Sequence, residues 1–126
     1  MEKKREVVTE DLLTISPFLK VVIGYFEAYA IQYNLPIVCT SLKSDLVEGR
    51  TSSVHSDGRG ADFSARSWPS FHIYRIQAYL NKKFLSWGTR PANSGLHPRV
   101  CVVHDSGTGT HFHLQVKRSL FLTDVQ

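Results

Sequence analysis

Apolar residues recur along this chain with two different periods, and the points where the period changes divide it into elements. Phe18, Val21, Val22, Tyr25, Ala28 and Tyr29, with Gln32 continuing the row, fall three and four apart. That spacing lines one face of an α-helix. Ser16-Pro17 just before it offers a side chain able to cap unbonded amides and a ring suited to the first helical position. Asn34 and Pro36 end the pattern. A second row, Ile73, Ile76 or Gln77, Leu80 and Phe84, predicts a helix from about Pro69 to Phe84.

Between and after these rows the pattern becomes extended. Ile37 to Leu42 reads as a strand, Lys43 to Gly49 as a polar connection, and Arg50 to His55 as extended again. Gly58 and Gly60 mark a tight loop before a short strand, Ala61-Asp-Phe-Ser64. Trp87 to Pro98 is interrupted by Gly and Pro and predicts a loop. Arg99 to His104 and His111 to Lys117 then form two strands, joined through Asp105-Ser-Gly-Thr-Gly-Thr110, a sequence suited to a turn. Helices and short strands in this order predict an α+β domain: a small antiparallel sheet with helices packed on it. The whole chain, residues 1–126, reads as one domain, with residues 1–15 a polar lead-in that carries an apolar patch at Leu12-Leu13.

Composition narrows the partners. A chain of 126 residues with 42% hydrophobic and 21% charged residues suits a single soluble domain with a modest core. Its longest apolar run, around Val21 to Ile31, is interrupted by Gly24 and Glu27, so no membrane association is expected. Glu2-Lys-Lys-Arg-Glu6 is not followed by an apolar core or a small-residue cleavage site. The chain therefore reads as made in the cytoplasm without a secretory signal. A net charge of +4 permits an anionic partner, but the basic residues are scattered and not interleaved with aromatics. No nucleic-acid partner is expected. The two cysteines, Cys39 and Cys101, each lie in an apolar run and read as buried thiols.

The candidate chemistry is split between two segments. Ser53-Val-His55-Ser-Asp-Gly58-Arg-Gly-Ala-Asp62 offers an imidazole and a carboxylate on either side of a glycine-bearing loop that lets the chain reverse. His111-Phe-His113 adds two imidazoles two residues apart, which share one face of an extended segment while Phe112 and Leu114 take the other. Imidazole nitrogen and carboxylate oxygen are zinc donors, and a catalytic zinc has three protein ligands and one open position. The same donors suit several other first-row metals. The same residues also admit a plainer account, with surface histidines on a half-buried strand and Asp62 capping a turn.

Taken together, Ser53-x-His55-x-x-Gly58-x-x-x-Asp62 followed by His111-x-His113 resembles the zinc peptidases of the D-alanyl-D-alanine carboxypeptidase group. That group shares a fold superfamily with lysostaphin-type enzymes and the amino-terminal domain of hedgehog proteins. The resemblance spans roughly residues 37 to 117 and keeps the seven-residue offset from His55 to Asp62. It implies His55, Asp62 and His113 as ligands of Zn2+, His111 as an imidazole facing the reacting carbonyl, and Arg50 and Ser53 near the substrate. The activity implied is hydrolysis of peptide bonds in peptidoglycan stem peptides, of carboxypeptidase or endopeptidase type. A small single-domain chain of this kind is similar to phage-encoded or virion-associated wall hydrolases.

Two positions depart from the family pattern. Gly60 stands where the family usually has alanine. Thr110 stands where the carboxypeptidases place the Glu or Asp that serves as general base. His111 is then the first choice for the base and Asp105 the second, with Asp57 also in the first motif. The missing carboxylate leaves a second expectation open: a non-catalytic zinc-binding domain of the same fold that binds peptide or serves in a virion.

Overall fold

Helix α1 (Pro17–Gln32) starts where its capping signal lies: the Ser16 side chain accepts the Phe18 amide at 3.2 Å and the Leu19 amide at 3.5 Å. It ends by turning left-handed at Asn34, φ 55°, so that the amides of Asn34 and Leu35 reach back to the carbonyls of Ile31 and Ala30. Those two bonds satisfy carbonyls that the last helical turn leaves open. The computed structural model describes residues 2–3, 15–42, 58–89, 98–105 and 109–117.

The face that α1 buries is Leu19, Val22, Ile23, Phe26 and Ala30. This corrects the row expected from the sequence by one residue, about 100° of rotation around the helix. Val21 and Tyr25 stand 42% and 39% exposed. Apolar side chains surround most of this helix, so its period is plain but its phase is not. The surface it packs against selects the phase.

That surface is a five-stranded sheet in the order β1-β2-β3-β5-β4. Its strands are β1 (Glu2–Lys3), β2 (Val38–Ser41), β3 (Gly60–Ser64), β4 (Cys101–Asp105) and β5 (Thr110–Gln115). β1 lies parallel to β2, and the other neighbours are antiparallel. Gly60, expected in the loop, is the first residue of β3 and pairs with Gln115. Ala61 and Phe63 of β3 and Phe112 and Leu114 of β5 are fully buried. Phe26 packs on Phe63 at 4.9 Å and on Phe112 at 5.1 Å between ring centroids, with Trp68 stacked at 5.3 Å. The Trp68 indole N–H donates to the Pro36 carbonyl at 2.8 Å, so this large ring is buried without stranding its polar atom. The fold is therefore α+β, with a single core between the helices and one face of the sheet.

Helix α2 (Ser70–Lys83) buries Ile76 and Leu80, the face its spacing indicates. One polar residue on it organises the next strand. The Asn81 side-chain oxygen accepts the amides of Val100 and Cys101, both at 2.9 Å, and its nitrogen donates to the Cys101 carbonyl at 2.9 Å. A short 3-10 turn, Leu85–Trp87, leads to Gly88, where a Cβ would lie 2.6 Å from the Arg99 backbone nitrogen. Glycine allows that approach, and the bridge between Thr89 and Arg99 forms beside it. Among the described residues no helix is long and apolar enough to cross a membrane.

Cys39 and Cys101 are both fully buried thiols, as the sequence suggests. They lie on β2 and β4 with two strands between them. At about 4.8 Å per strand their separation is roughly 14 Å, well beyond disulfide reach. Burial pushes the Cys101 thiol up to about 12. Iodoacetamide at neutral pH is expected to leave both cysteines unmodified in the native protein and to alkylate both after denaturation, read by intact mass. Asn81→Ala, by contrast, strips partners from three backbone groups and is expected to cost about 1–3 kcal/mol in a urea titration. An unchanged midpoint would show that this side chain does not anchor β4.

Candidate metal centre

Strand register sets Asp62, the last residue of the first motif, beside the second motif. In the β3–β5 pair Asp62 lies opposite His113 and Ser64 opposite His111, and in the β4–β5 pair His104 lies opposite His111. Because Phe63, Phe112 and Leu114 face the helices, alternation turns Asp62, His111, His113 and His104 to the other face of the sheet. The shared direction of His111 and His113 follows from their spacing. Their meeting with Asp62 follows from which strand pairs with which.

On this face His113 Nδ1 lies 2.7 Å from Asp62 Oδ1. Both side chains are largely shielded from solvent, at 16% and 14% exposure. The other ring nitrogen, His113 Nε2, lies 2.9 Å from the side-chain oxygen of Gln115. Gln115 is itself buried, and its amide nitrogen donates to the Thr89 carbonyl at 2.8 Å and the Arg99 carbonyl at 3.0 Å. The close pass at Gly88 thus positions the two carbonyls that hold Gln115.

His111 and His104 form a second cluster beside the first. Their ring centroids are 4.0 Å apart, and His104 is 6.2 Å from His113. His111 Nδ1 lies 3.2 Å from the Gly109 carbonyl, which can only accept. Nδ1 therefore carries the proton, and Nε2 keeps its lone pair. Gly109 itself has φ 116°, a conformation that favours glycine, and a Cβ there would meet the Arg66 guanidinium at 3.3 Å. The His104 pKa is lowered from its ordinary 6.5, first by burial and then by the neighbouring His111, with His113 adding to the effect. Asp62 and Asp105 oppose the shift.

Asp105 ends β4 opposite Thr110 and is exposed. Alternation sets it on the face opposite His104 and His111. His55, Arg50 and Ser53, together with Asp57, lie outside the described residues. Among the described residues no group of three side chains is arranged to hold a metal ion. Asp62 and His113 fit as two of three donors. Tetrahedral zinc at its usual bond lengths sets neighbouring donors roughly 3.4 Å apart, modestly wider than the present contact. Gln115 and His104 were not singled out from sequence. Gln115 could have been found as the residue two beyond His113 on the same face, whereas His104 needed the strand pairing.

Compared with models of known families, with curated proteins and with solved structures, the chain shows no match.

The His104 environment has a consequence for stability. A histidine whose folded pKa is depressed resists protonation in the fold, while the unfolded chain accepts the proton at the ordinary value. Folding stability of the metal-free protein is therefore expected to fall as pH drops through 6.5 and to level off below the folded-state pKa. NMR titration of the His104 ring should give a midpoint below 6.5, and His111→Ala should move it part of the way back. A midpoint at or above 6.5 in the native protein would contradict the arrangement of these rings.

Proposed function

We propose that this chain is a zinc-dependent peptidase with the fold of the D-alanyl-D-alanine carboxypeptidase and hedgehog superfamily. It hydrolyses peptide bonds in peptidoglycan stem peptides and acts on the cell wall as a phage-encoded or virion-associated protein. The observation that carries this reading is the contact between Asp62 and His113 on adjacent strands, with the His111 and His104 rings on the same sheet face. These are the residue types, and for Asp62, His111 and His113 the positions, that the sequence resemblance assigns to metal and substrate.

His55, Asp62 and His113 would hold the zinc. Bound there, zinc supplies Lewis acidity, making a water acidic near neutral pH and polarising the scissile carbonyl. The chain itself supplies proton transfer. His111 Nε2 keeps its lone pair because Nδ1 is engaged by Gly109, so it can take a proton and return it to the leaving amine. The lowered pKa of His104 keeps that neighbouring ring neutral and avoids a second positive charge when His111 becomes protonated. Asp105, the second choice for the base, is placed less well for this role by the alternation of β4. Arg50 and Ser53 remain the proposed substrate contacts.

A non-catalytic zinc-binding domain of the same fold is the second reading, favoured by one observation. Thr110, where the carboxypeptidases keep their acidic base, is the first residue of β5 and pairs with Asp105. Digestion of purified peptidoglycan by the zinc-loaded protein, with released fragments identified by mass, separates the two. Cleavage is expected, and His111→Ala should lower its rate by about 10²–10⁴-fold with zinc retained. Zinc at one equivalent without any released fragment would favour the binding domain. No zinc uptake at all would remove both readings.

A further inference from the structure

Two cationic side chains stand over aromatic rings along the groove between α1 and α2. The Arg75 guanidinium lies 5.4 Å from the Tyr33 ring centroid and 5.7 Å from that of Phe71, and the Lys83 ammonium lies 4.8 Å from that of Tyr25. Among the described residues neither cation has a carboxylate partner. The groove encloses about 400 Å³ and is lined by Tyr25, Tyr29 and Gln32 of α1, Tyr33 just beyond it, and Arg75 and Tyr79 of α2. That volume is within the range of ligand pockets. No aspartate or glutamate lines it. The two helices together carry Lys20, Arg75, Lys82 and Lys83 against Glu27 alone, so the groove lies in a field that favours an anion.

The spacing of the cations narrows the ligand further. Arg75, Tyr79 and Lys83 follow one another at four-residue steps and form a single row along α2. Eight residues of helix set the ends of that row about 12 Å apart. In an extended peptide, side chains four residues apart share one side and lie about 13 Å apart. Between the cations, tyrosine hydroxyls and the Gln32 amide can bond to peptide groups, and the Tyr29 hydroxyl is held in place by His72 Nδ1 at 2.7 Å. Tyrosine and arginine are also the side chains enriched where protein partners bind. Base stacking, by contrast, needs open ring faces, and here a cation covers one face each of Tyr25 and Tyr33.

We propose that the groove between α1 and α2 binds an extended acidic peptide, with one carboxylate on Arg75 and a second, four residues along, on Lys83. The groove lies on the helix side of the sheet, whereas Asp62 and His113 lie on the other face. It therefore stands apart from the metal centre and goes beyond the peptidase reading.

The test uses the full-length, metal-free protein labelled with 15N. The probe is a five-residue peptide, blocked at both termini, with glutamate at each end and alanine between. Saturable shifts are expected in the backbone amides of α1 from Tyr25 to Gln32 and of α2 from Arg75 to Lys83. Arg75→Gln and Lys83→Gln alter exposed side chains, and each is expected to weaken binding by about 2–5-fold with the rest of the spectrum unchanged. A matching peptide with lysine at each end is expected not to bind. Equal binding of the lysine peptide, shifts confined to β3 and β5, or full affinity in both variants overturns the proposal. So does tighter binding of a single-stranded oligothymidylate, which would reassign the groove to nucleic acid. Zinc is absent throughout, so each of these outcomes leaves the metal-binding reading where it stands.

Discussion

The seating of Phe26 on the two central strands is the contact on which the rest of the structure depends. Its ring meets Phe63 of β3 and Phe112 of β5 and stacks on Trp68, so one side chain joins helix α1, the middle of the sheet and the segment leading into α2. Aromatic rings of this size contribute a large share of the apolar area that a small core can bury. Because strand residues alternate between faces, fixing Phe63 and Phe112 inward also fixes Asp62, His111 and His113 outward. The core and the candidate site are thus two sides of one choice, and slipping either strand by one residue would lose both.

Polar groups complete what the apolar contact begins. Asn81 reaches from α2 to the backbone at the start of β4, and Gly88 lets the following segment pass close enough to Arg99 for a bridge to form. The carbonyls of that bridge receive the Gln115 amide, and Gln115 in turn engages His113. Each partner in this relay is buried or partly buried, where an unsatisfied polar group costs more than the bond itself contributes. The geometry of His113 is therefore tied to backbone contacts well away from the imidazole. A site on the sheet face away from the helices acquires some of the rigidity of the core beneath it.

The elements were largely legible from the chain because local signals for them agree. Ser16-Pro17 caps and opens α1, Asn34 closes it, and the spacing of Ile76 and Leu80 identifies the inner face of α2. The alternation His111-Phe112-His113-Leu114 gave the correct inside and outside of β5. The phase of α1 was not legible, since a helix apolar on most sides offers several plausible rows and only its docking surface distinguishes them. Nor was the role of His104 or Gln115. Each depends on contacts across strands or loops, which no short-range pattern encodes.

What the sequence by itself determined, then, is the two helices and strands β2 to β5, though not β1 in the segment read as a lead-in, together with the direction of the side chains along β5 and the donor types available: carboxylate at Asp62 and imidazoles at His111 and His113. These follow from forces acting over a few residues, namely hydrogen bonding at helix ends and the two-residue period of a strand. The tertiary structure alone decided that Asp62 lies opposite His113, that the His104 ring meets His111 edge to face, and that Gln115 holds one particular nitrogen of His113. Those pairings join residues 51, 7 and 2 positions apart with equal precision. Sheet register and close packing place atoms by mutual exclusion, whatever their distance along the chain.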